Sequence, residues 1–493
     1  MYNYDPATDE GTLPPVSGPV DEWQREVARL TGDYYDDTRF ASFYLTGDYY
    51  WKNLILNTAV RADGSSSFGV NRQFQPTWSA GVCWHFADGI PWLSHGALRG
   101  AYGYTGNVNA AARHLLTMEY LQNEYRYADG SAYPLVTIPS APNPDLGWEK
   151  TADLKASLDV GFFYDVLSLQ AEVYRRLSSD VVTTAQVLST SGFTSAYYNT
   201  ADIRNDGVEA TLSWRQSFAG DFRVRASANV AWNRNEVTRF TPAFGNRITA
   251  KDRYVEGYPA GAIFAGDYGG IDPSTGLYAF RLRDDADLKT AADLGNADNY
   301  RTYLGTTIAP WSGGCNISLD YKRFRLSASG VFFSGGKAYD KIVSPASYLN
   351  ARHEGTPTEE VQSQYSDLYA NHLNVTRERT SRWTEATPAG VLYPRIYDRF
   401  DARYNFAHTN PMEGDIVDAI YLKDVSYFRL KSVILSWNLP ETAVRKVRLQ
   451  GLRFTLTLGN ILTLTAYDGM DPEVPGATYP TSRSVSFGAH VTL

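Results

Sequence analysis

The sequence predicts an all-β protein, a transmembrane antiparallel β-barrel of about fifteen strands with long extracellular loops. Apolar and polar residues alternate along most of the 493-residue chain. Many alternating stretches reach about ten residues, the length of a tilted membrane-spanning strand. Short connections also alternate with long ones, which is typical of outer-membrane barrels.

The C-terminal stretch is the clearest strand. From Ser484 to Leu493, apolar Val485 and Phe487 share one face, and Ser486 and His490 share the other. A strand has a side-chain period of two, so this pattern predicts one apolar and one polar face. The same alternation predicts strands over residues 78–86, 153–162, 208–215, 223–232 and 453–458. Helical spacing is convincing only in short pieces, at Asp21 to Leu30 and Thr358 to Leu373.

The connections predict the sidedness of the barrel. Tight turns are expected at 51–52, 165–167, 218–221 and 322–323, and long connections at 106–148, 178–205 and 335–423. An even number of membrane crossings must separate any two periplasmic turns. We therefore expect the chain between 218–221 and 322–323 to add a hairpin of wall strands, near 261–267 and 277–281.

The first strand, near 38–50, is expected to run toward the periplasm. Residues 1–37 are then the remnant of an extracellular loop, residues 38–493 are the C-terminal portion of the barrel, and 335–423 form a long extracellular loop. A barrel chain is not expected to begin in such a loop. The sequence therefore predicts the C-terminal part of a longer protein, which also accounts for the missing signal peptide.

Composition excludes several classes of function. A net charge of −8 makes a broad nucleic-acid footprint unexpected. The two cysteines, Cys83 and Cys315, are predicted on polar strand faces and are too few for a disulfide framework or a Cys-rich zinc site. No His-Glu-x-x-His, P-loop or nucleophile-elbow motif occurs. We therefore expect no enzyme activity, no catalytic residue, no metal site and no cofactor.

Six segments, in order along the chain, resemble motifs of the SusC/RagA family of TonB-dependent outer-membrane transporters of Bacteroidota. They are Asp63 to Gly69 (DGSSSFG), Leu98 to Asn107 (LRGAYGYTGN), Asn143 to Thr151 (NPDLGWEKT), Ile203 to Glu209 (IRNDGVE), Phe428 to Pro440 (FRLKSVILSWNLP) and Leu458 to Glu473 (LGNILTLTAYDGMDPE). The chain departs from the family pattern at Gly459, at Met470 and at its last residue, Leu493, where such barrels usually end in Phe.

The resemblance implies the C-terminal part of an outer-membrane barrel, about fifteen strands of a 22-stranded wall that surrounds an N-terminal plug. It further implies import of oligosaccharides, or of peptides, beneath a SusD-like surface lipoprotein that acts as a lid. The TonB complex would act through the N-terminal part, which this chain lacks. The implied partners are thus the lipoprotein, the TonB complex, outer-membrane lipid and a glycan or peptide substrate.

Candidate contacts with substrate or lid lie in the long loop 335–423. They are Trp383, Tyr393, Tyr397, Arg399 and Tyr404. Aromatic faces stack on sugar rings, and Arg clamps polar groups. The same aromatics could instead pack the loop on itself or against the lid, because aromatic residues are enriched at interfaces generally.

Two other interpretations remain open from the residues alone. Half-buried antiparallel sheets also alternate, so a secreted or surface all-β carbohydrate-binding protein, a sandwich or propeller, fits the periodicity. A glycoside hydrolase would need paired carboxylates beside a cleft, and the sequence identifies no such pair. A sandwich would bury its apolar faces against each other, whereas a membrane barrel turns them outward.

Overall fold

Antiparallel β-structure dominates the fold in the computed structural model. The structure describes residues 3–5, 10–12, 39–66, 71, 73–87, 90–107, 117–126, 132–140, 143–186, 195–241, 254–274, 276, 278–283, 299–340, 383–391, 419, 422–446, 448–477 and 479–492. The strands, in chain order, are β1 (Asn3–Asp5), β2 (Glu10–Thr12), β3 (Phe40–Trp51), β4 (Leu54–Ser65), β5 (Phe74–His85), β6 (Leu93–Asn107), β7 (Thr117–Arg126), β8 (Ala132–Ser140), β9 (Glu149–Phe162), β10 (Leu167–Gln186), β11 (Ser195–Phe218), β12 (Phe222–Phe240), β13 (Ala262–Ile271), β14 (Tyr278–Arg281), β15 (Arg301–Thr306), β16 (Trp311–Tyr321), β17 (Phe324–Ser334), β18 (Lys337–Tyr339), β19 (Leu422–Asp424), β20 (Tyr427–Asn438), β21 (Gly451–Thr465) and β22 (Ser484–Thr492). A short helix, α1 (Glu441–Lys446), connects β20 to β21.

One antiparallel sheet of 13 strands forms the wall, in the order β22-β21-β20-β17-β16-β12-β11-β10-β9-β6-β5-β4-β3. Consecutive wall strands are adjacent in the sheet, so every crossing pairs with the next one along the chain. Within the described residues β22 and β3 do not pair with each other, so the sheet is open. Four small sheets lie outside the wall: β1-β2, β7-β8, β14-β13-β15 and β18-β19.

Short and long connections alternate at the two ends of the wall, as the sequence predicts. Turns at 52–53, 163–166, 219–221 and 322–323 lie at one end, which we call the short-turn end. Each of these turns holds a non-glycine residue with positive φ, for example 50° at Lys52, 59° at Tyr164, 62° at Asp221 and 53° at Lys322. The other end carries the long connections and is called the long-loop end.

The predicted hairpin near 261–267 and 277–281 forms, but outside the wall. Its strands, β13 and β14, pair with each other, and β13 also pairs with β15 in a separate sheet. Within the part of the chain that the structure describes, the wall therefore has 13 strands rather than about fifteen. The predicted connection 178–205 is also mostly strand, since β10 continues to Gln186 and β11 starts at Ser195. The two predicted helices lie outside the described residues.

The two faces of the wall differ in chemistry. On β12 the even-numbered side chains from Phe222 to Trp232 are apolar, while Arg223, Arg225 and Asn229 lie on the opposite face. Register pairing extends both faces across neighbouring strands. We call them the apolar face and the polar face.

Among the described residues, no part of the chain covers the apolar face. On β22, Val485 is 73% exposed and Phe487 is 72% exposed. A sandwich would bury these side chains against a second sheet. The exposed apolar face therefore fits the barrel interpretation and does not fit a sandwich.

Aromatic rings bound the apolar face at both ends. At the short-turn end, Phe324 stacks on Trp437 with ring centroids 6.0 Å apart. Toward the long-loop end, the ring centroids of Trp232 and Trp311 are 6.3 Å apart. The ten residue steps on β12 from Phe222 to Trp232, at about 3.3 Å each and tilted by about 40°, span about 25 Å. That is the height of the apolar band of a membrane barrel.

Among the described residues, no helix is long and apolar enough to cross a bilayer.

The two cysteines lie on different faces. Cys83 pairs with Arg99 on the polar face, as predicted. Cys315 pairs with Ala228 and Gly330 on the apolar face, so its predicted position was wrong. The preceding residues of β16, at 313–314, are both glycines. Glycines have no side chain to mark a face, and the alternation is therefore unreadable there.

Candidate functional site

A buried ion-pair network lies at the long-loop end of β20. The side chain of Arg429 is 3% exposed and donates to Asp471 and to Glu473 Oε2, the latter at 2.6 Å. Its Nε donates to Thr463 Oγ1 on β21 at 3.1 Å. The backbone N–H groups of Glu473 and Thr481 donate to the Asp471 carboxylate at 2.9 and 2.7 Å. A buried charge is costly unless it is paired and hydrogen-bonded, and here both conditions are met.

We call this network the Arg429 brace: Arg429, Thr463, Asp471, Glu473 and Thr481. Burial alone would raise the pKa of the Asp471 carboxyl. The hydrogen bonds from Arg429 and Thr481 outweigh burial and hold that pKa well below its usual range. The carboxylate therefore stays ionised, and the brace fastens the β21–β22 connection to β20.

The same connection holds both ends of the segment 335–423. Tyr467 donates a hydrogen bond to Asp340, and both side chains are buried. Burial, followed by this hydrogen bond, raises the pKa of the Tyr467 hydroxyl well above its usual value, so the donor keeps its proton. Next along the chain, Asp468 pairs with Lys423 at 2.9 Å. The start and the end of the long segment are thus fixed by adjacent residues.

Of the predicted contact residues, Trp383 lies in the described part of the chain. Its Nε1 donates to the backbone oxygen of Pro273 at 2.9 Å. Its ring lies against Gly276, where any side chain would collide with the indole. Trp383 therefore ties the segment 383–391 to the turn between β13 and β14. The other predicted residues, Tyr393, Tyr397, Arg399 and Tyr404, lie outside the described residues.

An aromatic cluster on the three-stranded sheet was missed by the sequence analysis. The ring centroid of Tyr258 lies 5.0 Å from those of both Phe264 and Tyr303. The backbone of Val237, on β12, exchanges hydrogen bonds with Tyr258 and Gly257 at 2.8 and 2.9 Å. The cluster is thereby fixed beside the wall at the long-loop end. It was missed because β13 was assigned to the wall.

The segment 143–148, one of the resemblance motifs, is a structural anchor. Leu146 is fully buried and packs with Val182 and Tyr197. Asn143 Nδ2 donates to the backbone oxygen of Tyr197 at 2.8 Å. These contacts fix the long connection before β9 against the extended hairpin of β10 and β11.

In the part of the chain that the structure describes, no group of three or more His, Cys, Asp or Glu side chains could hold a metal ion.

Comparison with known proteins gives a consistent family assignment. The family described as TonB dependent receptor-like, beta-barrel, matches residues 2–352. TonB-dependent receptor SusC of Bacteroides thetaiotaomicron is 24% identical over 481 residues, covering 92% of this chain and 43% of the relative. TonB-dependent receptor P3 of Formosa agariphila is 23% identical over 483 residues, covering 91% and 43%.

A solved structure of the RagAB peptide transporter aligns with a TM-score of 0.73 and 25% identity. The alignment covers 92% of this chain and 48% of that one. The chain thus spans less than half the length of these relatives.

Proposed function

Because the chain belongs to the family of TonB-dependent receptor β-barrels, which are outer-membrane proteins, we propose that it forms part of the wall of a nutrient importer of the SusC and RagA type. The outward apolar face of the 13-stranded sheet carries this proposal. A bilayer requires every backbone polar group to be satisfied internally, and an antiparallel wall does so strand by strand. The polar face then lines the lumen.

The cargo is an oligosaccharide or a peptide. The structurally similar RagAB protein is a peptide transporter, and the SusC/RagA resemblance adds oligosaccharides. A SusD-like lipoprotein would close over the long-loop end, and the TonB complex would supply energy through a part of the protein outside this chain. This chain alone is therefore expected to be unable to import.

The contacts at the long-loop end support a role for segment 335–423 in meeting cargo or lid. Its two ends are held by Tyr467 and Asp468, and its interior is held at Trp383. Fixed attachment points reduce the conformational entropy that a binding loop loses on contact with a ligand. We include Trp383, with Tyr393, Tyr397, Arg399 and Tyr404, in the proposed contact surface.

The test is energy-dependent uptake by cells that produce the whole protein. A labelled glycan panel and a labelled peptide panel are offered with and without a protonophore, and membrane insertion is checked by heat-modifiable gel mobility. Uptake of one panel that stops on de-energisation is the expected result. A monomer that is soluble without detergent, or uptake that continues in the presence of the protonophore, would contradict the proposal. Proteoliposomes that contain only this chain are the matched control and should not import.

A further inference from the structure

A charged patch lies on the outward side of the wall, just beyond Trp232. Its members are Arg175 on β10, Arg204 and Asp206 on β11, and Arg234 and Glu236 on β12. We call it the outward patch. Arg175 pairs in register with Asp206, which pairs with Arg234. Two residues closer to the short-turn end, Val208 pairs with Trp232 on the same face. The patch therefore continues the apolar face and lies on the side of the wall away from the lumen.

The outward patch lies at the depth of the lipid head groups. Trp232 belongs to the aromatic pair that bounds the apolar face toward the long-loop end. Arg234 is two residue steps beyond Trp232, a rise of about 5 Å for a strand tilted by about 40°. The head-group layer is about 5–7 Å thick on each side of the hydrocarbon core. A charged side chain on the lipid side of a barrel wall costs little at this depth and most at the midplane.

Apolar side chains flank the outward patch within its own rows. Leu154, on β9, pairs in register with Arg175 and is 53% exposed. Leu177, on β10, pairs in register with Arg204 and is 44% exposed. Because the strands of a barrel are tilted, a row of paired residues crosses the edge of the apolar band obliquely. The patch thus stands at the boundary of the lipid-facing surface.

Three guanidinium groups of the patch meet two carboxylates. Asp206 accepts from Arg175 Nε at 2.6 Å, and its other oxygen lies 3.3 Å from Arg204 Nε. Glu236 Oε2 accepts from Arg204 Nη2 at 2.7 Å and from Arg234 Nη2 at 3.1 Å. The side chains of Asp206 and Glu236 are 23% and 20% exposed, whereas those of Arg175 and Arg234 are 57% and 62% exposed. The cations of the patch are therefore its outer groups, and they exceed its anions by one.

The stability of the wall does not account for this arrangement, because exposed ion pairs contribute little to stability. A guanidinium has five N–H donors, so one carboxylate contact does not exhaust Arg175 or Arg234. The carboxylates hold the arginines in place, and the exposed donors can meet an anion that carries several acceptor oxygens. A phosphate group is such an anion.

We propose that the outward patch binds the phosphate of an anionic lipid in the leaflet at the long-loop end. Arginine forks match phosphate oxygens in bidentate geometry. Arginines already fixed by Asp206 and Glu236 lose little conformational freedom on binding. The acyl chains of the same lipid lie against exposed apolar side chains nearer the middle of the wall, Val173 and Val208 among them. A free phosphate ion lacks these apolar contacts, so the ligand is the lipid and not the ion.

This inference goes beyond the proposed function, because it concerns the lipid side of the wall and not the cargo. The plug that the family resemblance implies lies inside the barrel and does not reach this side. The binding assay below needs no import, so its outcome is independent of any uptake measurement.

The test is native mass spectrometry of the whole protein released from mixed micelles. The micelles contain equal amounts of a monophosphorylated diglucosamine lipid and of the same lipid without its phosphate. Folding of each variant is checked by heat-modifiable gel mobility. We expect the wild-type protein to retain the phosphorylated lipid about tenfold more than the other. Equal retention of the two lipids by the wild-type protein would overturn the proposal without the need for any variant.

Substitutions then locate the site. Arg175→Gln and Arg234→Gln should each lower the preference for the phosphorylated lipid by about threefold, and the double variant should abolish it. Arg175→Lys keeps the charge but loses the fork, so its preference should fall between those of the wild-type protein and Arg175→Gln. An unchanged preference in the double variant would overturn the proposal.

Arg61→Gln is the matched control. Arg61 Nε lies 2.6 Å from Asp63 Oδ1 and its side chain is 56% exposed, values close to those of Arg175. Arg61 pairs in register with Thr77 on the polar face, whereas the preceding residue, Val60, pairs with Trp78 on the apolar face. The preference should stay unchanged in Arg61→Gln. A loss equal to that of Arg175→Gln would show that position in the outward patch is irrelevant, and would overturn the proposal.

Two further readings of the same spectra exclude other ligands. Inorganic phosphate in tenfold excess over lipid should displace little of the bound phosphorylated lipid, and complete displacement would overturn the lipid assignment in favour of the free ion. A dimer of the protein that disappears in the double variant, with no preference between the two lipids, would instead assign the patch to contacts between two copies.

Discussion

Replacing Asp471 by Asn tests whether the Arg429 brace fixes the β21–β22 connection. The substitution removes the buried negative charge and leaves Arg429 with Glu473 as its acidic partner. Breaking a buried ion pair costs about 3–5 kcal/mol. Because Glu473 remains and Asn still offers an acceptor oxygen, we expect the lower end, about 3 kcal/mol.

Hydrogen exchange locates this loss. The backbone N–H groups of Glu473 and Thr481 donate to Asp471, so their protection reports the brace directly. A loss of about 3 kcal/mol in local opening free energy corresponds to roughly hundredfold faster exchange. Wild-type exchange rates at both amides in Asp471→Asn would refute the reasoning.

Two further variants test whether the loss of protection comes from the buried charge of Asp471 or from any substitution in the β21–β22 connection. Asp468→Asn breaks an exposed pair with Lys423 on the same connection, and such pairs contribute about 0–1 kcal/mol. It should leave the exchange of Glu473 and Thr481 unchanged. Adding Arg429→Met to Asp471→Asn removes the buried cation that has lost one of its two acidic partners, and should restore part of the lost protection.

Acid provides an independent check of the brace. The pKa of Asp471 is lowered in the folded protein, so its stabilisation is present above the ordinary carboxyl pKa of about 3.9. It is lost only as the pH falls through the lower folded value. Protection of the Glu473 amide should therefore persist at about pH 4 and fall in stronger acid, a dependence that Asp471→Asn should lack.

Three other substitutions test the remaining assignments. Ala228→Arg, in the middle of the apolar face, should destabilise the protein by about 2–4 kcal/mol in lipid vesicles. Asn229→Arg, on the polar face, should destabilise it far less. Equal urea midpoints of unfolding for the two variants would contradict the assignment of the faces. Asn460 has a φ of 54° and donates to the Ser482 backbone oxygen at 3.1 Å. Asn460→Ala should therefore lower the free energy of unfolding by about 1–2 kcal/mol, and Asn460→Gly should lower it less. The reverse order would reject backbone strain as the cause. Trp383→Phe loses only the hydrogen bond to Pro273, whereas Trp383→Ala also loses the ring, so proteolytic cleavage within 383–391 should rise in that order. Unchanged cleavage and unchanged cargo affinity would reject both roles of Trp383.

The faces and turns of the wall were readable from the sequence because lipid and water impose opposite chemistry on alternate residues. The strand expected near 38–50 is β3, Phe40–Trp51, and the turns expected at 218–221 and 322–323 occur at 219–221 and 322–323. Register was also implied, since a shift by one residue would turn apolar side chains into the lumen.

The ion-pair sites depend on contacts between side chains far apart in the sequence, and the alternation of apolar and polar residues does not predict such contacts. Arg429 and Asp471 are separated by 42 residues and meet only when β20, β21 and the following connection are all in place. Both residues lay inside resemblance motifs, but a motif does not say which side chains touch. Arg225, Asp320 and Arg325 are likewise brought together only by the register of β12, β16 and β17.

The parity argument explains why β13 and β14 were misplaced. An even number of crossings between two turns at the same end allows two wall strands as well as four. β12 and β16 pair directly from Phe222↔Tyr321 to Trp232↔Trp311, so two crossings already satisfy the condition. β14 has only 4 residues, which falls far below the about nine to eleven that a crossing needs. Strand length, applied together with parity, would have assigned this hairpin to the long-loop end, where its turn meets Trp383.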